Sequence, residues 1–163
     1  RAIFYDHFGS HQLGYLKPLR RAESLLRALS GSGIYLGVVS NKTGRFLRAE
    51  SSALGWDRYF GKLVGAGDAT RDKPEVDPIH MALAPGGIAA GPDVWFIGDA
   101  DVDMQCAHAG GCVPLLIGDS PDDFQNFPPA HRFDTCDIVS DLVQRLRATI
   151  SQESSSERRT WPT

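Results

Sequence analysis

The sequence predicts an α/β fold built on a doubly wound, mostly parallel sheet. Three observations carry this prediction. Short apolar runs of strand length occur at 34–39, 94–97 and 113–117, stretches of helical spacing alternate with them, and polar clusters follow two of them directly. Strands alternating with helices imply right-handed crossovers, and hence parallel strands. On such a sheet, ligands sit at the carboxyl ends of the strands.

At 163 residues and 17.8 kDa, the chain is long enough for one domain with a sizeable core. Its net charge of −3 argues against a general nucleic-acid binder, which needs an excess of cations over phosphates. No apolar run approaches the ~20 residues of a membrane helix, so no membrane span is expected. Three cysteines, an odd number without CxxC spacing, suggest neither a disulfide framework nor a four-ligand zinc site. A cytoplasmic setting fits best. Composition sets no oligomeric state.

The elements follow in order. A helix is expected over 18–30, with Leu19, Ala22, Leu25, Leu26 and Leu29 on one face and Arg20, Arg21, Glu23 and Arg27 on the other, ended by Gly31 and Gly33. A buried strand over 34–39 leads into a helix over 43–54, whose apolar members are Phe46, Leu47, Ala49, Ala53 and Leu54. A weaker strand over 63–66 precedes a short helix over 77–84. The strand 94–97 leads into a helix over 101–109. A last strand over 113–117 carries Pro114, which suits a sheet edge. Residues 118–132, rich in Asp and Pro, read as a surface loop without assigned chemistry. A helix over 140–150 would be capped by Ser140. The tail 151–163 lacks apolar periodicity and is expected to be disordered.

Three polar clusters fall where the strand ends of such a sheet converge. Ser40-Asn41-Lys42-Thr43 follows the 34–39 strand, where a hydroxyl, an amide and helical N–H groups would cradle phosphate oxygens. Helix capping explains the same residues. Lys73, in Asp72-Lys73-Pro74, gains a rigid neighbour that keeps it out of helical geometry, although a lone lysine is also an ordinary surface residue. Asp99, Asp101 and Asp103 gather after the 94–97 strand. Their repulsion is relieved by a hard cation such as Mg²⁺, or their charge simply suits a helix N-terminus.

Together the clusters are more specific than any one alone. Their order, with Lys73 33 residues after Ser40 and Asp99 26 residues after Lys73, resembles the second, third and fourth motifs of the haloacid dehalogenase (HAD) superfamily of phosphohydrolases. LGVVSNK, DKP and VWFIGDADVDMQCAHAGGC look like the phosphoglycolate phosphatase branch, over roughly residues 1–117. The resemblance implies that Ser40, helped by Asn41, binds the transferring phosphoryl group and that Lys73 neutralises charge on that group and on the nucleophile. It makes Asp99 a Mg²⁺ ligand and Asp103 a support for metal or lysine. Asp101 falls at a variable position. The substrate implied is a small phosphorylated metabolite.

The family's first motif, DxDGT at the end of the first strand, supplies the nucleophilic Asp and the acid/base Asp. Asp99-Ala100-Asp101 has the DxD spacing, but its place in the order is that of the fourth motif. Asp6-His7-Phe8-Gly9-Ser10 keeps part of the pattern, with Phe8 where the acid/base belongs; this departure resembles dehalogenases. The competing reading makes residues 1–16 the last helix of a helical cap, with 17–150 as the core domain. On that reading the chain is a fragment or truncation lacking the first strand, which the family places between the strands of the second and fourth motifs. A central gap in the sheet follows. A catalytically silent HAD-like module is the alternative from another class.

Further expectations concern individual residues. Cys106, His108 and Cys112 have metal-like spacing, yet Cys106 and His108 sit two apart on a helix and point in different directions. Trp56 and Trp95 are expected to pack in the core, and His80 at the surface.

Overall fold

The computed structural model describes residues 16–157. The first helix, α1 (Ala22–Gly31), starts four residues later than expected. Arg21 takes a left-handed conformation (φ 63°) and Ala22 N–H closes a turn on the Leu19 carbonyl, so the helix cannot extend back to Pro18. Leu19 is consequently 62% exposed, whereas Leu25 and Leu29 are buried.

Strand β1 (Gly37–Thr43) begins three residues later than the apolar run and includes the whole Ser40–Thr43 cluster. The displacement has a local cause. Ile34 N–H bonds back to the Leu29 carbonyl and so belongs to the end of α1, while the Tyr35 hydroxyl donates to the Ala82 carbonyl. Pairing with β2 (Lys62–Ala66) starts at Gly37↔Lys62 and becomes irregular between Val39 and Thr43. Helix α2 (Gly44–Ala53) follows at once. Its buried residues are Gly44 and Ser51; Phe46 and Leu47 are half-buried, and Ala49 and Ala53 are exposed.

Close backbone packing explains Gly65. A Cβ on Gly65 would collide with the Gly44 backbone and the Lys42 carbonyl, so α2 crosses β2 at a point where only glycine fits. Asp68 secures this crossing by accepting from Gly65 N–H (2.9 Å) and from Arg48 Nη1 (2.6 Å). The Arg48 hydrogen bond first, and the Gly65 amide second, lower the Asp68 pKa below the ordinary carboxylate range. A depressed folded-state pKa gives stability that is present above the unfolded value, about 4, and lost as pH falls through the folded value. Asp68→Asn is therefore expected to flatten the pH dependence of unfolding below about pH 4. Parallel curves for the two proteins would contradict this.

The short helix α3 (Asp77–Leu83) precedes a 3₁₀ turn. It buries Ile79 and Leu83 against Cys106, Ala107 and Cys112, with Phe96 and Val94 beside them. Strand β3 (Trp95–Gly98), helix α4 (Asp101–Ala109) and strand β4 (Val113–Ile117) follow. A further strand, β5 (His131–Phe133), pairs with β4 and lies where the composition suggested only loop. This corrects the place of Pro114. Strand β4 is central in its sheet, between β3 and β5. Val113 N–H bonds to Val94 on the β3 side, and the Pro114 carbonyl accepts from Ala130 on the other. The missing N–H thus falls on the β5 side, one residue ahead of the first pair, Leu115↔His131.

The last helix, α5 (Cys136–Glu157), begins four residues before Ser140, which is therefore interior and not a cap. Cys136, Val139 and Val143 repeat at helical spacing and bury against Leu25, Leu29, Leu115, Ile117 and Phe133, so core contacts start this helix earlier than its polar residues suggest. The helix also continues into the segment expected to be disordered, as far as Glu157. The assigned cap remnant (1–16), apart from Leu16, and residues 158–163 lie outside the described residues.

Among the described residues all strand pairs are parallel, in two separate sheets of order β1-β2 and β3-β4-β5. Among the described residues no strand joins β1 to β3. Parallel sheets are ordinarily covered on both faces, yet Trp95 and Ile97 of β3 are 39% and 36% exposed, against the expectation of a core Trp95. No helix of the described residues is long and apolar enough to cross a membrane.

Candidate functional site

The carboxyl ends of β1 and β3 and the loop after β2 carry the residues singled out from the sequence. Ser40 and Asn41 lie in the irregular second half of β1, three or four residues before α2, so they do not combine with a helix N-terminus as expected. Ser40 Oγ accepts from Lys42 N–H (3.1 Å), which leaves its own O–H free to donate. Lys42 itself turns away, its Nζ bonding both Glu50 oxygens on α2 (2.6 and 2.5 Å). Asn41 is exposed, and its Nδ2 donates to the Lys73 carbonyl (3.4 Å).

Lys73 comes from the loop between β2 and α3, and its bond to Pro74 is cis. Its Nζ donates to Asp103 Oδ1 (2.6 Å) and to the Val39 carbonyl of β1 (3.3 Å). The lysine therefore links β1 to the first turn of α4. With side-chain exposures of 7% and 9%, Lys73 and Asp103 form a buried ion pair. Two of the three ammonium protons are committed, and one remains for another acceptor.

Asp103 sits in the first turn of α4, and its Oδ2 accepts from the amides of both Asp99 and Ala100 (3.1 Å each). Both of its oxygens are thus engaged, one with lysine and one with backbone. Gly98 is required for this approach, since a Cβ there would overlap the Asp103 side chain from Cβ to Oδ2. Gly98→Ala is expected to displace Asp103 and to destabilise the chain by about 1–3 kcal/mol, the usual range for overpacking. Urea denaturation checks this; an unchanged midpoint would contradict it.

Asp99 differs from Asp103. It is exposed, and among the described residues its carboxylate has neither a hydrogen bond nor an ion pair. No group of three or more His, Cys, Asp or Glu among the described residues could by itself hold a metal ion. One open carboxylate nonetheless suits Mg²⁺, which keeps several waters and takes few protein ligands. Asp99 is the open carboxylate at the end of β3 that could take part in holding such a cation.

The cysteine and histidine cluster does not come together as a site. Cys106 Sγ donates to the Glu75 carbonyl and Cys112 Sγ to Gly110, while His108 Nε2 shares a hydrogen bond with the Pro128 carbonyl. Burial pushes the Cys106 thiol up to about 12, which leaves it unreactive. His80 is exposed.

Residues 2–117 match the family model of haloacid dehalogenase-like hydrolases. The chain belongs to this family. It is 37% identical over 122 residues to the phosphoglycolate phosphatase of Escherichia coli K12, covering 72% of this chain and 47% of that protein. It is 28% identical over 137 residues to that of Pectobacterium atrosepticum, covering 83% and 56%. Among solved structures, a HAD-superfamily hydrolase from Ehrlichia chaffeensis matches with TM-score 0.69 and 30% identity, covering 78% of this chain and 58% of that one. A HAD phosphatase from Thermococcus onnurineus shares the fold with TM-score 0.75 at 19% identity, covering 85% and 64%. The chain spans about half the length of the curated relatives it matches.

One residue of this region was not legible in the motifs. Asp122, in the loop between β4 and β5, accepts from the amide of Asp101 through Oδ2 (2.8 Å). Its only sequence signal is an acidic cluster in a Pro-rich loop, and that cluster has no motif spacing to Asp99.

Proposed function

We propose that this chain carries the charge-stabilising part of a Mg²⁺-dependent phosphatase site for a small phosphate monoester, with phosphoglycolate the favoured substrate class. The observation that carries this reading is Lys73, buried and held between β1 and the start of α4 with one proton uncommitted. From there it can meet a phosphoryl oxygen at the strand ends. The Ser40 hydroxyl and the Asn41 amide would donate to the other oxygens, and such preorganised donors are worth most where water is excluded. Asp103 serves Lys73 and the Asp99 loop in this reading, leaving Asp99 as the ligand of the metal. When bound, Mg²⁺ supplies positive charge to the phosphoryl oxygens and the leaving group. The three free, buried cysteines suit a cytoplasmic setting.

In-line attack needs a nucleophilic carboxylate. The resemblance assigns it to a strand between β1 and β3, and among the described residues these two strands lie in different sheets. Asp6 lies outside the described residues. The test is phosphate release from phosphoglycolate and from a generic phosphate ester with Mg²⁺, using the chain as given and a form extended at its N-terminus by a DxDGT-bearing segment. Activity in the extended form, removed by Asp99→Asn, is expected. Activity of the chain as given that is lost in Asp6→Asn would assign the nucleophile to Asp6. No turnover in either form would favour a silent module.

A further inference from the structure

The loop from Gly98 to Asp101 presents three successive amide N–H groups, and all three end on carboxylates. Those of Asp99 and Ala100 bond Asp103 Oδ2, and that of Asp101 bonds Asp122 Oδ2. The loop that starts at the proposed metal ligand is therefore held from two directions, at Asp99 and Ala100 by Asp103 of α4 and at Asp101 by Asp122, 21 positions beyond it. The Asp101 carboxylate takes no part in this clamp, being bonded to Gln105 on its own helix.

Asp122 is exposed, but the segment that carries it is anchored. Phe124, two residues on, is 6% exposed and packs with Met104 and Leu116. The Arg132 guanidinium lies 4.8 Å from its ring centroid. Phe127 packs against the same cluster and sits 5.8 Å from the His108 ring, and His108 in turn holds the Pro128 carbonyl (3.0 Å). A loop tied down at three points delivers the Asp122 carboxylate to the Asp101 amide, two residues beyond Asp99.

We propose that Asp122 is a positioning residue for Asp99: it fixes the loop that presents this carboxylate, and its charge strengthens the attraction of a divalent cation there. The inference rests on the phosphatase reading, in which Asp99 holds Mg²⁺. Simple capping of α4 would need the same hydrogen bond but would leave cation affinity unchanged. That difference decides the test.

Mg²⁺ is titrated into the chain as it stands, following the amide resonances of Asp99 and Asp101, for the wild type and for Asp122→Ala, Asp122→Asn and Asp99→Asn. Asp122→Ala is expected to weaken Mg²⁺ binding about tenfold, within the range seen when an outer-shell partner of a metal ligand is removed. Asp122→Asn keeps an accepting oxygen and should recover part of the loss. Thermal unfolding in parallel separates folding from binding. A destabilised Asp122→Ala protein with wild-type Mg²⁺ affinity would overturn the inference and leave the phosphatase reading intact. Absence of any Mg²⁺ response in the wild type would remove both.

Discussion

Lys73→Met is expected to destabilise the chain by about 3–5 kcal/mol, the range for breaking a buried ion pair from one side. The reason is what remains behind. Asp103 is 9% exposed in its side chain, and without Lys73 its Oδ1 has no cation to offset the loss of water. The substitution also removes the bond from Nζ to the Val39 carbonyl, the link from this pair to β1. A double substitution, Lys73→Met with Asp103→Leu, should cost less than Lys73→Met alone, because no buried charge is left unpaired. Urea denaturation of the two single variants and the double variant forms the cycle. Additive losses would show that the two residues are not energetically coupled, contrary to their 2.6 Å contact.

Met104→Ala is the second large effect, about 2–5 kcal/mol for emptying a fully buried site. Met104 has no exposed surface and joins Leu116 of β4 to Phe124 of the following loop. The cavity would therefore open beneath the segment that carries Asp122. Faster amide exchange at Phe124 should accompany the stability loss. A loss below about 1 kcal/mol would mean that the site collapses around the smaller side chain, and would contradict the tight packing inferred here.

The parts of this protein that were legible in its sequence are those governed by local pattern. The apolar run at 113–117 is a strand at those same bounds, and the segment 101–109 is a helix as its spacing suggests. Ser40 in the second half of β1 and Asp99 directly after β3 lie where motif order predicts, and the parallel pairing of β1 with β2 and of β3 with β4 agrees with the expected fold. Among the described residues β1 and β3 belong to different sheets.

What was not legible depends on contacts between distant segments. The strand at His131–Phe133 is three residues long and lies in a Pro-rich stretch, so only its pairing with β4 reveals it. The early start of α5 follows from the burial of Cys136 and Val139 against other elements, which no capping residue announces. Ser40 and Asn41 read as a phosphate cradle or cap at a helix N-terminus, yet they fall in the irregular stretch of β1 between its Val39 and Thr43 pairs with β2. The commitment of both Asp103 oxygens could not be inferred from a GDxxxD spacing, and neither could the approach of Asp122 to the Asp101 amide.

The central claim is that Ser40, Asn41, Lys73 and Asp99 form one phosphoryl-binding site. Inorganic phosphate titrated into the chain in the presence of Mg²⁺, followed by amide resonances, tests it most directly. The account predicts saturable shifts concentrated at Ser40, Asn41, Lys73 and Asp99, strongly weakened by Ser40→Ala and dependent on Mg²⁺ through Asp99. Shifts confined to other parts of the chain, or none at these four residues at saturating phosphate, would contradict it.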